Sequence, residues 1–276
     1  MIANTGDDVE VYGVHVSPDP DLITYWLADE IDERGYGLRG DTFEVMGALE
    51  AAGRPTWFRL GDRDLAMCLI RTELLGAGRR LTEAHSAVVE AMGVGARVLP
   101  MSDEPVETWI GVAGRVLPFQ EYMIVAGAPG PIEAVELRGA EAARPTDDVL
   151  TAVAKADVIV IGPSNPVISI GPILALSGMR EALAGAAAPV VAVSPLVAGR
   201  AVKGPTDAFC AYAGIELSAT GIARAYADVI DGVVADEEVA GVPGRVTDTV
   251  MDGVGAARRL AAETVEFAAS LRSPPR

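Results

Sequence analysis

Four aspartates stand on two short polar stretches. Asp7 and Asp8 close Asn4-Thr5-Gly6-Asp7-Asp8, and Asp19 and Asp21 lie in Ser17-Pro18-Asp19-Pro20-Asp21. Carboxylates on paired loops are what a hard cation such as Mg2+ requires. Asp is also a common cap and turn former, so each has a plain structural use beside the chemical one. Arg59, Arg63 and Arg71 are interleaved with Asp62 and Asp64. Asp-Arg-Asp can hold an arginine fork aimed at a phosphate, and the same pattern fits a surface ion-pair network at a helix start. A third stretch, Gly162-Pro163-Ser164-Asn165-Pro166, offers hydroxyl and backbone N–H groups ahead of a helix. Such a loop suits a phosphate, or is simply a rigid strand-to-helix turn.

Other chemistries lack their parts. His15 and His85 are the only histidines, neither belongs to a recognisable motif, and no GxSxG or HExxH occurs. No GxGxxG follows a strand, which weakens a plain oxidoreductase reading. Acidic loops, an arginine turn and a Gly/Pro/Ser loop fit phosphoryl or nucleotidyl-type transfer. That reaction proceeds chiefly by positioning and charge stabilisation.

The elements that must position these residues read as α/β. Val158 to Ile161 is β-branched, apolar on both faces and stopped by Gly162-Pro163, which predicts a buried parallel strand. A helical pattern follows over 173–184, then a second strand, Pro189–Val193, with its loop Ser194-Pro195 to Gly199. Met1–Ala3 reads as the end of a strand, and an upstream strand with its helix is expected before it. Val9–Val16 is extended, and Ser17 or Asp21 is expected to cap a helix over 22–31. Asp41-Thr42 opens a helix to Ala52, another runs through Arg71 to Leu75, and Thr82 caps one to Met92. Ala96–Pro100 is a strand. Thr108–Val112 and Val116–Val125 form a hairpin which, with Ile132–Leu137, makes a small inserted sheet. Thr146 caps a helix to Lys155, a helix spans Asp207–Tyr212, Ser218 opens another, Val229–Val234 is a strand, and 246–271 is a C-terminal helix. The expected fold is a Rossmann-like, doubly wound, mostly parallel sheet. It forms one domain over 1–271, with a helical and hairpin subdomain inserted at about 22–145 and a tail at 272–276.

The chain of 276 residues is half apolar, with 5% aromatics, 30 Gly and 18 Pro. A core of Ala, Val, Leu and Ile follows, and disorder is excluded. The formal charge is −17, and only Lys155 and Lys203 among its 22 basic residues are lysines. No basic stripe exists for nucleic acid. Cys68 and Cys210 stand far apart, so no disulfide framework follows and a reducing compartment is expected. No apolar run approaches the ~18 residues of a membrane span. No signal peptide opens the sequence, so a cytoplasmic protein is expected.

The segments N-T-G-D-D (4–8), S-P-D-P-D (17–21), W-F-R-L-G-D-R-D-L-A (57–66), L-P-M-S-D (99–103), G-P-S-N-P-V-I-S-I-G-P-I-L (162–174) and S-P-L-V-A-G (194–199) stand in that order. Together they resemble the 2-phospho-L-lactate transferases of coenzyme F-420 biosynthesis, from residue 2 to about 265. The resemblance implies a Mg2+-dependent homodimer. It would transfer a phospholactyl or phosphoenolpyruvyl group from a guanosine diphosphate-linked donor to the ribityl hydroxyl of the deazaflavin Fo, releasing GMP. Carried over by position, Asp7, Asp8 and Asp21 are the metal carboxylates, with Asp19 in support, and Asp7, Asp21 and Arg63 are catalytic. Asn4 and Thr5 meet substrate, Gly61, Asp62 and Asp64 line the Fo side, and Ser164, Asn165, Pro166, Ser194 and Pro195 line the nucleotide side. There are two departures. Members of that family carry a Gly-rich phosphate loop ahead of N-T-G-D-D, and Cys68 stands where they usually have His. Two other readings of the same superfamily are a non-enzymatic nucleotide-sugar-binding regulator and a truncated inactive relative.

Overall fold

The structure is a computed structural model describing residues 1–202 and 204–271, so the expected tail at 272–276 lies outside the described residues. Two compact units are present, Met1–Pro129 with Val135–Val149, and Gly130–Ala134 with Leu150–Arg276.

The first unit begins with β1 (Ile2–Ala3), which ends directly in the Asn4–Asp8 loop. An antiparallel hairpin follows, β2 (Val9–Val11) and β3 (Val14–Val16), where a single extended stretch was expected. It turns on Tyr12 and Gly13, both left-handed with φ of 55° and 78°. A two-residue turn of this kind matches the twist of its strands. The strain at Tyr12 is held by its hydroxyl, which donates to the Phe58 carbonyl at 2.9 Å and accepts from the Phe58 N–H. Val11, Val14 and Val16 then pack on Phe58, Leu60 and Cys68.

The helices are α1 (Pro18–Leu27), α2 (Glu44–Ala51), α3 (Asp62–Gly76) and α4 (Leu81–Ala91). Their caps differ from those expected. Ser17 holds the N-cap position of α1 but turns its hydroxyl to Asp8, and Asp21 lies inside the helix. Thr82 lies inside α4, where Glu83 accepts from the Arg80 N–H and Asp103 from the Thr82 N–H. The starts of α2 and α3 are capped reciprocally. Asp62, on α3, accepts from the Glu44 and Val45 N–H groups of α2, and Asp41, before α2, accepts from the Arg63 and Asp64 N–H groups of α3. A Cβ on Gly61 would clash with the Asp41 carboxylate. Gly61→Ala is therefore expected to push that cap away and lower stability by about 1–3 kcal/mol, read from a urea unfolding midpoint.

The chain continues with β4 (Leu99–Pro100), parallel to β1, then β5 (Glu107–Val112), β6 (Arg115–Pro118), β7 (Ile132–Arg138) and α5 (Asp147–Lys155), the last two each divided between the units. The sheet order β6-β5-β7 gives the expected small sheet. Its hairpin closes at Pro118, and Glu121–Val125 forms a π-helix rather than continued strand. Thr146 accepts from the Val149 N–H as expected of a cap.

The second unit holds β8 (Ile159–Ile161), α6 (Ile170–Ala175), α7 (Met179–Ala184), β9 (Val190–Val193), β10 (Leu196–Val197), β11 (Arg200–Ala201), α8 (Thr206–Ala213), α9 (Ala219–Ala225), β12 (Gly232–Ala235), β13 (Gly244–Val246) and α10 (Val254–Ser270). Four strands pair in parallel in the order β13-β12-β9-β8. Val191, Val193 and Val234 face Leu260 and Ala268 of α10. The sequence predicted one helix over 173–184, but it breaks at Gly178, which is left-handed. The C-terminal helix starts at Val254, and β13 occupies the start of the stretch read as helical. β8 lies at a sheet edge with Val160 45% exposed, so this strand is less buried than its apolar sequence predicted. The architecture is α/β as expected, with parallel pairing between β1 and β4 and throughout the four-stranded sheet, and antiparallel pairing in the hairpins β2–β3, β5–β6 and β10–β11.

Candidate active site

In the first unit, the loop leaving β1 is folded on itself. Asn4 Oδ1 accepts from the Gly6 N–H at 2.7 Å, and Asn4 Nδ2 donates to Asp19 Oδ2 at 3.2 Å. The Asp7 carbonyl accepts from Gln120 Nε2 at 3.0 Å, and the Gly6 carbonyl from the Thr108 N–H at 2.7 Å. Asp7 is thereby buried, and its Oδ1 has no hydrogen-bond partner; Thr5 Oγ1 and Thr108 Oγ1 are also without one. Burial, then the nearby Asp19 and Asp8 carboxylates, hold the Asp7 carboxyl well above the usual range, against the pull of the Asn4 and Thr108 side chains. Burial and Asp8 raise Asp19 to about 6, against the pull of Asn4.

Asp8 and Asp21 are already engaged. Asp8 Oδ1 accepts from Ser17 Oγ at 2.7 Å, and Asp8 Oδ2 faces His15 Nε2 at 2.9 Å. His15 Nδ1 faces Glu10 Oε1 at 2.8 Å. A neutral imidazole has only one N–H, so two carboxylates on its two nitrogens favour the imidazolium. The His15 pKa is raised accordingly by Asp8 and Glu10 against burial. Both oxygens of Asp21 contact both terminal nitrogens of Arg71, at 2.7–2.9 Å, in a buried ion pair. Asp64 accepts from the Tyr25 hydroxyl at 2.7 Å. Asp21, Asp64 and Cys68 bring ligand atoms within 4.8 Å of one another. The Arg71 guanidinium already supplies a cation there, and burial pushes the Cys68 thiol far up.

Of the remaining expected residues, Gly61 and Asp62 serve the α2 and α3 starts. Arg63 lies half exposed, donating to Glu30 at 3.1 Å and to the Arg39 carbonyl at 3.2 Å. The arginine among the buried carboxylates is Arg71. A sequence signal for it existed: Asp64, Cys68 and Arg71 recur at i, i+4 and i+7, so polar groups occupy an inward face of α3.

In the second unit, Asn165 is buried after β8, and its Oδ1 accepts from the Val167 and Ile168 N–H groups. Its Nδ2 donates to Thr206 Oγ1 at 3.3 Å. Ser164 is exposed and Pro166 buried beside it. Ser194, buried after β9, continues the ladder through its N–H to the Val234 carbonyl, and its Oγ accepts from the Leu196 N–H. Pro195 follows it. The Ser164–Pro166 and Ser194–Pro195 turns thus leave the carboxyl ends of two adjacent parallel strands, where ligands bind in open α/β sheets.

A parallel α/β sheet with polar loops at its strand ends, and a buried acidic loop in the first unit, fit the α/β proteins that bind phosphate esters. A family model described as 2-phospho-L-lactate transferase CofD matches residues 1–251, and the chain belongs to that family. It is a transferase of coenzyme F-420 biosynthesis. A protein of Streptomyces griseus named phosphoenolpyruvate transferase is 41% identical over 99% of this chain and 91% of its own length. One of the same name from Kitasatospora aureofaciens is 40% identical over 99% of this chain and 90% of its own length. A Bacillus halodurans protein of the UPF0052 family shares the fold, with a TM-score of 0.56 at 18% identity, over 95% of this chain and 89% of its own. Among the described residues no helix is long and apolar enough to cross a membrane.

Proposed function

We propose that residues 1–271 act as one catalytic domain that moves a phosphoenolpyruvyl or phospholactyl group from a guanosine diphosphate-linked donor to the ribityl hydroxyl of Fo. The acceptor oxygen forms a bond to the donor's distal phosphorus as the bond to GMP breaks. GMP leaves with the electron pair and the hydroxyl proton goes to solvent. The carrying observation is the buried, unpartnered Asp7 oxygen. A buried carboxylate oxygen without a donor is costly even where Asn4 and Thr108 ease the rest of the group, and a hard cation satisfies it. Asp7 and Asp19 fit Mg2+ in this way. Bound there, the ion would offset charge on the diphosphate. Asp8 and Asp21 then shape the loops that carry these two. Asn4 and Thr5 border the same loop, Asp64 and Arg63 are assigned to the Fo side, and Ser164, Asn165, Pro166, Ser194 and Pro195 to the nucleotide. The names of the relatives favour the enolpyruvyl donor.

The test incubates the protein with Fo, Mg2+ and both donors in competition, with mass spectrometry of products. One GMP per product, with the enolpyruvyl product in excess, is expected. Tight donor binding without GMP release overturns the reading. The family resemblance also supports a cytoplasmic homodimer; light scattering should give twice the 28.6 kDa chain mass.

A pH dependence follows from Asp19. Its carboxyl titrates near 6 in the fold against 3.8 ordinarily, so the folded state holds an extra proton between those values. Stability of the metal-free protein therefore falls as pH rises through that window. Mg2+ is expected to raise the melting temperature at pH 7.5 and to lose that effect below about pH 6. An equal Mg2+ shift at pH 5 and 7.5 would remove Asp19 from the site.

A further inference from the structure

We propose that Arg71 is a positioning residue: an internal cation that fixes the first turn of α1 and so aims Asp19 at the Asp7 loop. The proposal rests on the reading of Asp7 and Asp19 as the cation-holding pair.

Arg71 is fully buried, and both of its terminal nitrogens are spent on Asp21. Asp21 stands two residues after Asp19 in the first turn of α1, and its N–H donates to the Ser17 carbonyl at 3.0 Å. Ser17 in turn donates to Asp8, and Asp19 accepts from Asn4. The grip on Asp21 is thus relayed within one helical turn to two residues that touch the Asn4–Asp8 loop. A planar fork fixes direction as well as distance, which an ammonium does not.

The second anchor of α1 leaves Arg71, among the described residues, as the only cation on Asp21. Thr24 Oγ1 donates to the Pro20 carbonyl at 2.8 Å, so toward His85 Nε2, at 3.2 Å, it can only accept. His85 therefore carries its proton on Nε2, and the bare Nδ1 lies 3.9 Å from Asp21 Oδ1. A neutral ring there matches the downward push of burial and Arg71, to about 3. A buried ion pair adds little net stability over apolar packing, so its presence beside the acidic loop points to a geometric task.

The test compares Arg71→Lys, Asp19→Asn and the double variant with the unaltered protein. Readouts are Mn2+ affinity by calorimetry without substrates and the Mg2+ concentration for half-maximal GMP release. Arg71→Lys should weaken Mn2+ binding roughly 10-fold, as loss of a residue supporting a metal ligand does. The double variant should bind no more weakly than Asp19→Asn alone. Unchanged affinity in Arg71→Lys, or additive losses in the double variant, overturns the proposal. If Arg71→Lys fails to fold, the neutral pair Asp21→Asn with Arg71→Gln replaces it. Circular dichroism checks that pair, and wild-type Mn2+ affinity in it likewise overturns the proposal. Should Asp7→Asn and Asp19→Asn both bind Mn2+ normally, or the unaltered protein bind none, the reading of the acidic loop itself falls and takes the proposal with it. Weak binding by Asp19→Asn beside normal binding by Arg71→Lys sinks only the role of Arg71.

Discussion

Asp7→Asn is expected to lower GMP release by about 10²-fold or more at saturating Mg2+, while raising the melting temperature of the metal-free protein. The two effects share one cause. Asp7 is buried, its Oδ1 has no donor, and Asp8 and Asp19 add like charge. The fold therefore favours the protonated form, whereas the unfolded chain ionises at the ordinary value, so an ionised Asp7 opposes folding at neutral pH. Asn is nearly isosteric, uncharged and able to donate to its neighbours, and it removes that opposition. It also removes the anionic oxygen that a hard cation would neutralise. Turnover and thermal melting, measured on one preparation, check both halves. Wild-type turnover across a Mg2+ titration would take Asp7 out of the metal site. A lower melting temperature would show that its burial is compensated by contacts beyond those described.

Asp21→Ala is expected to cause the largest loss of stability, about 3–5 kcal/mol, because it strands the Arg71 guanidinium in the interior. Asp21 and Arg71 are almost without solvent contact, with side-chain exposures of 4% and 0%. Arg71 Nε has no partner and both terminal nitrogens bond Asp21, so Asp21 is the largest source of its compensation, ahead of Cys68 and Asp8. Adding Arg71→Met should recover most of the loss, since apolar packing replaces a buried pair at little cost. The urea midpoint of the single and double variants decides this. If Asp21→Ala unfolds near the wild-type midpoint, Arg71 has found solvent or another carboxylate. Pairs such as Arg180–Asp228, exposed on both sides, are expected to leave the midpoint nearly unmoved when broken.

Much of the fold was legible in the sequence where patterning is local. The β8 and β9 strands, their polar loops, the Ser218 cap and the hairpin after Thr108 all follow from short-range signals. The misreadings have physical reasons. Gly178 breaks an apolar run whose spacing alone is helical, and Val250 mimics helical periodicity before Gly253 starts α10. The π-helix after Gln120 interrupts a run of apolar residues that also suits a strand. For the site, residue types were legible but partners were not. Arg63 and Arg71 belong to one charged stretch, and only packing reveals that the first faces Glu30 at the surface and the second meets Asp21 inside. His15 looked solitary because its carboxylates, Asp8 and Glu10, reach it only when the Tyr12-Gly13 turn folds β2 on β3.

The exchange of carboxylates between Asp41 and Asp62 makes two helix starts a single cooperative element. Loss of either side chain frees amide protons on the partner helix as well as disturbing its own surroundings. In native-state hydrogen exchange, the amides of Val45 and Asp64 should open at one common free energy, although they lie on different helices.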